Sequence, residues 1–378
     1  MDIVIPLRET PVLLAIGQSL IAALFLISQR RNLSPDNAML VLVLFVFAAL
    51  KTDQLYQFID GPRLAPGFAF WLSPLEWVMT PSLYFYVIAL TRTDFRLRLR
   101  DAVHLVPAAC WSIYLAVEVW PLAPADKLAW MESGVLGTPF HALLLPLVTD
   151  SLQCAYVLAA IWRTRAYDLR LADWFSRLED RELGWVRRIL MIWLAMILLH
   201  AAMVISRAVL GGGAPVRLVI DALNIAHLTF ITLLIYRGLE ALFRSIRPEP
   251  VELVQQPYVQ ARLDANERRA LYARAVARVT DDALYRQSEL TLGNLADLLA
   301  ATPRELSEAI NREGKVSFYA FINGFRVTEI QRLLVEQPQM SMLDIAYEAG
   351  FKSKSVYNQT FRAQTGMTPS QYRASRSR

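Results

Sequence analysis

Apolar positions along the chain fall into two regimes. As far as Tyr236 they form long, nearly continuous runs, and beyond Phe243 they shrink to short amphipathic patches set among dense charge. A membrane-spanning helix needs roughly 20 mostly apolar residues. Seven runs qualify: Val12 to Gln29, Ala38 to Ile59, Phe68 to Thr91, Ala102 to Trp120, Phe140 to Arg163, Val186 to Val209 and Val216 to Tyr236. Between the fifth and sixth, Leu171, Trp174, Phe175 and Leu178 recur at helical spacing opposite Arg170, Asp173, Arg177 and Asp180. That pattern suits an amphipathic helix on the inner leaflet, or a lever that touches the C-terminal region. Arg247-Pro248-Glu249-Pro250 and Gln255-Gln256-Pro257 cannot continue a helix. The expected fold is all-α: a seven-transmembrane-helix bundle over residues 1–245, a Pro-containing linker over 246–262, and a helical domain over 263–378.

The C-terminal patches resolve into helices with start signals. Leu271, Ala275 and Val279 share one face of a helix over about Ala265 to Val279. Thr291 can cap a helix that turns Leu292, Leu295, Ala296 and Leu299 inward. After the turn at Ala300-Ala301, Thr302-Pro303-Arg304-Glu305 combines a capping box with Pro at the first helical position. Leu306 and Ile310 then point inward, leaving Arg304, Ser307, Glu308 and Asn311 outward. A long apolar helix, capped by Ser317, runs to about Glu336, where Pro338 stops it. Ser341 with Asp344 resembles another capping box, Met342, Ile345, Ala346 and Ala349 face inward, and Gly350 supplies a turn. Ser353 then caps a helix with Val356, Tyr357, Thr360 and Phe361 buried and Lys354, Ser355, Asn358, Gln359 and Arg362 outward. Two helix-turn-helix units joined by a long helix result. They show a faint repeat at one offset: Leu295 with Ile345, Ala296 with Ala346, Leu306 with Val356. About 18 residues of linking helix span roughly 27 Å, and successive major grooves on one DNA face lie about 34 Å apart.

Composition sharpens both halves. Of 378 residues 55% are hydrophobic and 19% charged, with mean hydropathy +0.32, unlike a soluble domain. Positive charge alternates between loops. The first, third and fifth hold Arg30 and Arg31; Arg92, Arg96, Arg98 and Arg100; and Arg163, Arg165, Arg170, Arg177, Arg181, Arg187 and Arg188. The even loops hold mainly Arg63, Lys127, Arg207 and Arg217. The positive-inside rule then puts the N-terminus outside and the C-terminal domain in the cytoplasm, where bacterial DNA lies. The N-terminus has no basic n-region or small-residue cleavage site, so the first run is expected to be retained. After Glu348 the chain holds Lys352, Lys354, Arg362, Arg373, Arg376 and Arg378 and no acid, a charge pattern suited to phosphate contact.

Ionisable residues inside spans are costly and face a bundle interior or a wet cavity. Lys51 and Glu76 fall at similar depth, as do Arg207 and Asp221, and Asp150, His200, Asn224 and His227 lie nearer the midplane. These eight form a candidate sensor cluster for a small molecule or a proton, or else neutralise one another and fix packing. No metal or other cofactor is expected: the four histidines, His104, His141, His200 and His227, lack ligand spacing, although His200, His227 and Asp150 could converge. The seventh span has no lysine for a retinal Schiff base. Cys110 and Cys154, the only cysteines, are expected as small buried hydrophobes. Gly211-Gly212-Gly213 reads as a flexible outer turn. Neither a catalytic triad nor a nucleotide loop is assembled, so no enzyme is expected.

Leu290-Thr291-Leu292…Leu295-Ala296, Leu306-Ser307…Ile310-Asn311, Phe321-Ile322-Asn323…Arg326-Val327, Asp344-Ile345-Ala346…Gly350-Phe351 and Thr365-Gly366-Met367-Thr368-Pro369-Ser370-Gln371-Tyr372-Arg373 resemble the AraC/XylS-type DNA-binding domain. The resemblance covers residues 283–373, about a quarter of the chain. In architecture alone, the remainder is similar to the membrane-anchored members of that family. The resemblance implies base contacts by Arg304, Ser307 and Glu308 in the first recognition helix and by Lys354, Ser355, Asn358 and Gln359 in the second. Asn311, Lys352 and Arg362 join them as candidate DNA contacts. The function it implies is a one-component transcription regulator, an activator or a repressor, in the bacterial inner membrane. Its expected partners are promoter DNA, the bilayer, a small-molecule or proton signal, a second copy of the chain and RNA polymerase. The alternative is a transporter or membrane enzyme with a fused regulatory head.

Overall fold

A computed structural model describes residues 9–29, 34–92, 94–132, 138, 140–178, 182–210, 214–243 and 263–376. Arg30, Arg31, Asp180, Arg181, Gly211 to Gly213, Arg378 and the linker expected over 246–262 lie outside the described residues. Those that are described form helices and no strand; one isolated antiparallel bridge joins Phe175 to Thr291. Contacts divide the chain into two compact units: residues 1–165 with 183–252, and residues 166–182 with 253–378.

The first unit contains α1 (Thr10–Ser28), α2 (Pro35–Phe58), α3 (Gly61–Leu64), α4 (Glu76–Thr91), α5 (Val106–Glu118), α6 (Pro124–Glu132), most of α7 (Leu145–Leu171), α8 (Gly184–Leu210) and α9 (Ala214–Phe243). α2 packs on α1 and α4, and α9 on α1 and α8. Among the described residues, five helices are long and apolar enough to cross a membrane: Thr10–Ser28, Pro35–Phe58, Phe140–Leu171, Gly184–Val209 and Val216–Glu240. Their outer faces stay apolar, with Ile21, Leu24, Trp162, Leu198 and Leu218 exposed. A helix apolar all round belongs in lipid or a deep core.

The other two expected spans are shorter. In place of one helix from Phe68 to Thr91, the run begins at the end of one 3-10 turn and passes through a second at Pro74, and α4 begins only at Glu76. Its 16 residues rise about 24 Å, less than the ~30 Å hydrocarbon core. The run from Ala102 starts inside a 3-10 turn, Leu99–Leu105, and leaves 13 α-helical residues in α5. Cys110 is exposed on α5 and Cys154 half-buried, so neither is the fully buried thiol expected.

The second unit contains α10 (Ala265–Asp281), α11 (Leu292–Leu298), α12 (Pro303–Ala309), α13 (Phe318–Glu336), α14 (Met342–Glu348), α15 (Lys354–Thr365) and α16 (Pro369–Arg376). It has two cores threaded by α13. Phe318, Phe321 and Ile322 close the first, with Leu271, Ala275, Val279, Leu292, Leu295, Ala296, Leu306 and Ile310. Val327, Ile330, Leu333 and Leu334 close the second, with Ile345, Ala346, Ala349, Tyr357 and Phe361. Residues 172–178 are not an amphipathic helix on a leaflet. α7 ends at Leu171, the chain turns, and Trp174 packs against the first core.

Candidate nucleic-acid interface and a polar cavity

Local chemistry fixes where each recognition helix starts. Thr302 accepts from the Glu305 N–H while Glu305 accepts from the Thr302 N–H, and Pro303 occupies the first turn of α12. Ser353 accepts from the Val356 N–H at the start of α15. Between α14 and α15, Gly350 takes φ +91°, and a Cβ there would lie 2.5 Å from the Tyr285 carbonyl oxygen. Only glycine fits this turn. At the far end of α15, Gly366 closes the helix at φ +75°.

Caps and cores correct the repeat expected from sequence. The first helices of the two units match at an offset of 50, but Thr302 matches Ser353, Leu306 matches Tyr357 and Ile310 matches Phe361. Val356, half-buried, is therefore not the counterpart of Leu306. The second turn is longer by one residue, taken up at Gly350. With that register, Arg304, Ser307, Glu308 and Asn311 match Ser355, Asn358, Gln359 and Arg362.

The two faces differ. Lys354, Ser355, Gln359 and Arg362 are exposed and Asn358 half-buried, as the sequence predicts. On α12 Arg304 is half-buried, as is Asn311 in the π-helical turn Ile310–Gly314 that follows, whereas Ser307 is 9% exposed and Glu308 1%. The expectation that Ser307 and Glu308 face outward is thus corrected. Nearby, the Asn311 side chain hydrogen-bonds Asp173, whose carboxyl is raised by burial against that bond. The Tyr319 N–H donates to the Ala172 carbonyl at 2.8 Å.

Several expected phosphate contacts also have local partners. Lys352 is exposed but lies 3.0 Å from Glu289, which Arg177 also engages. Arg373 donates to the Met340 carbonyl, and Arg376 lies over the Tyr372 ring. Arg326 was quoted only as part of a motif, and proves to be a hub. Its buried guanidinium donates to the carbonyls of Tyr285, Gln287 and Ser176 and lies 5.4 Å from the Phe351 ring centroid. An arginine set among the apolar positions of α13 was the available signal.

In the first unit, a cavity of about 200 Å³ is lined by Glu76, Asp150, His200 and His227 together with Gln153, Trp193 and apolar Leu50, Met79, Met196, Ile197 and Leu223. Buried Asp150 accepts from His200 Nδ1 at 3.0 Å. His227 Nδ1 lies 2.7 Å from the Leu223 carbonyl, leaving Nε2 for another partner. Trp193 is buried, and its indole N–H meets no acceptor among the described residues. Lys51 is buried beside this group but hydrogen-bonds Gln54, which in turn donates to Asn224. The expected pairing of Lys51 with Glu76 is replaced by that polar chain. Arg207 and Asp221 neither line the cavity nor form an ion pair among the described residues. No three His, Cys, Asp or Glu side chains among the described residues converge as metal ligands.

Comparison with known proteins bears on the second unit. Residues 295–375 match the family model described as a helix-turn-helix domain. Over 84 residues the chain is 33% identical to the transcriptional activator RhrA of Rhizobium meliloti, covering 22% of this chain and 26% of that protein. It is 31% identical over 84 residues to the melibiose operon regulatory protein of Escherichia coli K12 (22% and 28%), and 27% identical over 85 residues to the regulator YpdC of the same organism (22% and 30%). The chain thus spans between a quarter and a third of the length of these relatives. No solved structure matches it significantly. Residues 295–375 are a helix-turn-helix domain of the AraC type.

Proposed function

We propose that this chain, an AraC-type regulator by its C-terminal domain, is a membrane-embedded one-component transcription regulator with its DNA-binding unit in the bacterial cytoplasm. The observation that carries the DNA-binding role is the exposed face of α15, where Lys354, Ser355, Gln359 and Arg362 project beside a capped helix start. Side chains on such a face reach base edges in the major groove. α13 has 19 residues, about 28 Å at 1.5 Å each. That length suits two recognition helices in successive grooves.

Membrane embedding rests on the five long apolar helices and their apolar outer faces. Arg30 and Arg31 after the first of them, and Arg163, Arg165, Arg170, Arg187 and Arg188 around the connection between the third and fourth, orient them with the N-terminus outside. For the signal, the cavity holding Glu76, Asp150, His200 and His227 is the best-supported receptor site. It has room for about seven groups of water size, at about 30 Å³ each. Two carboxylates and an indole N–H suit a small polar ligand or organic cation, and binding there would shift the balance between two arrangements of the protein.

The test is enrichment of random duplex DNA by the full-length protein in nanodiscs. A bipartite motif with patches about one helical turn apart is expected. Substituting Gln359→Ala should cost about 1–3 kcal/mol on the enriched site and little on scrambled DNA. Equal losses on both would assign Gln359 to phosphate contact, and absence of any motif would contradict the reading.

A further inference from the structure

Resting on the regulator reading, we infer that residues 172–178 are a built-in ligand of the DNA-binding unit, seated on the starts of α11 and α13 beside the end of the first recognition helix, which DNA must displace. These residues belong to the same compact unit as residues 253–378. They are held by main-chain hydrogen bonds, so the seat is specific. Ser176 N–H donates to the Leu290 carbonyl at 3.3 Å, and Leu292 N–H donates to the Trp174 carbonyl at 2.9 Å. These two bonds flank the antiparallel bridge of Phe175 with Thr291. Ser176 Oγ donates to the same Leu290 carbonyl, and Arg326 donates to the Ser176 carbonyl.

Three observations connect this seat to DNA reading. First, Asp173 hydrogen-bonds Asn311, in the π-helical turn that follows α12, whose counterpart on α15, Arg362, is exposed. Ser307 and Glu308 are buried there, while their counterparts Asn358 and Gln359 are half-buried and exposed. α10 and α11 pack on α12 as well, so the segment's own tie at this helix is the one between Asp173 and Asn311. Second, the segment reaches the other helix-turn-helix: Arg177 shares Glu289 with Lys352, which directly precedes the cap of α15. Third, a carboxylate on a recognition helix face occupies ground that DNA phosphates or base acceptors would take. Undocking would uncover Asn311 and take Arg177 away from the Glu289 carboxylate that it shares with Lys352. The segment continues directly from the last turn of α7, so a movement of that helix would act on it without an intermediary.

The bridge supplies the test. Phe175 and Thr291 form a non-hydrogen-bonded antiparallel pair, for which Cα atoms lie about 4.5 Å apart, inside the range that a disulfide spans. In full-length protein with Cys110 and Cys154 changed to alanine, Phe175→Cys with Thr291→Cys should cross-link under mild oxidation. The oxidised protein should bind DNA enriched by its own reduced form at least ~10-fold more weakly, and reductant should restore binding, which excludes misfolding. The pair Asp173→Ala with Trp174→Ala should shift affinity the other way, by about 10-fold where nine-tenths of molecules are docked. Failure of the cross-link to form, or equal binding by oxidised and reduced protein, overturns the inference alone. A reduced protein that enriches no sequence overturns the regulator reading and this inference with it.

Discussion

Arg326 gathers the carbonyls of Ser176, Tyr285 and Gln287 around one buried guanidinium, so its removal leaves several acceptors unpaired at once. Each such group costs about 1–3 kcal/mol. Arg326→Met should therefore lower the stability of the second unit by at least ~3 kcal/mol in a denaturant titration, with a change under 1 kcal/mol contradicting the assignment. Glu329 ties the same helix to its surroundings through Arg332 and Arg286. The Arg332 hydrogen bond first, and Arg286 with it, hold its carboxyl below the ordinary glutamate range against the opposing pull of burial. A depressed carboxyl stabilises the fold above its unfolded value of about 4.3 and loses that contribution as pH falls through the native value. The unfolding midpoint of the second unit should thus fall on acidification below about pH 4.5, with a shallower dependence in Glu329→Gln. Gly350→Ala forces both a left-handed backbone and a clash with the Tyr285 carbonyl, and should cost about 1–3 kcal/mol. None of these three roles could be read from residue type. Arg326 in an apolar helix, or a glycine in a turn, signals that something is needed there without naming the partner across the fold.

Elements were more legible, and unevenly so. Caps are short-range chemistry: Thr291, Thr302, Ser317, Ser341 and Ser353 each accept from a backbone N–H within three residues. The helices that these five residues start consequently agree with the sequence to within a residue, whereas α16 was not expected. The inward faces of α11, α13 and α14 agree too, because apolar residues at helical spacing have only one core to enter. Removing the cap with Thr302→Ala should cost about 1 kcal/mol and weaken specific DNA binding by fraying α12. The third and fourth apolar runs misled because hydropathy is blind to Pro74, which divides the third, and to Pro107 in the first turn of α5, which shortens the fourth. Residues 172–178 misled differently. Leu171, Trp174, Phe175 and Leu178 do mark an apolar face, but periodicity cannot tell a lipid surface from a protein groove. On α15, Arg362→Gln should reduce the slope of log affinity against log salt by about 1 if Arg362 neutralises a phosphate. An unchanged slope would place it away from the backbone.

At the scale of the molecule, the sequence separated an apolar body from a charged head, and the two compact units preserve that division except at residues 166–182. The cavity brings together four of the eight polar residues expected as a cluster, because Glu76, Asp150, His200 and His227 converge while Arg207 and Asp221 do not. Glu76→Gln with Asp150→Asn should abolish stimulus-dependent changes in a reporter gene while leaving membrane insertion and DNA occupancy intact. The account joins a lipid-embedded body to a DNA-reading head in one chain, and capture of DNA at the membrane probes that union directly. Cells expressing the full-length protein are cross-linked, the inner membrane is isolated, and DNA attached to the protein is sequenced. Discrete sites sharing one motif are predicted, with enrichment lost on substituting Asn358→Ala and Gln359→Ala together. DNA spread evenly along the chromosome, or sites unchanged by those substitutions, would contradict it.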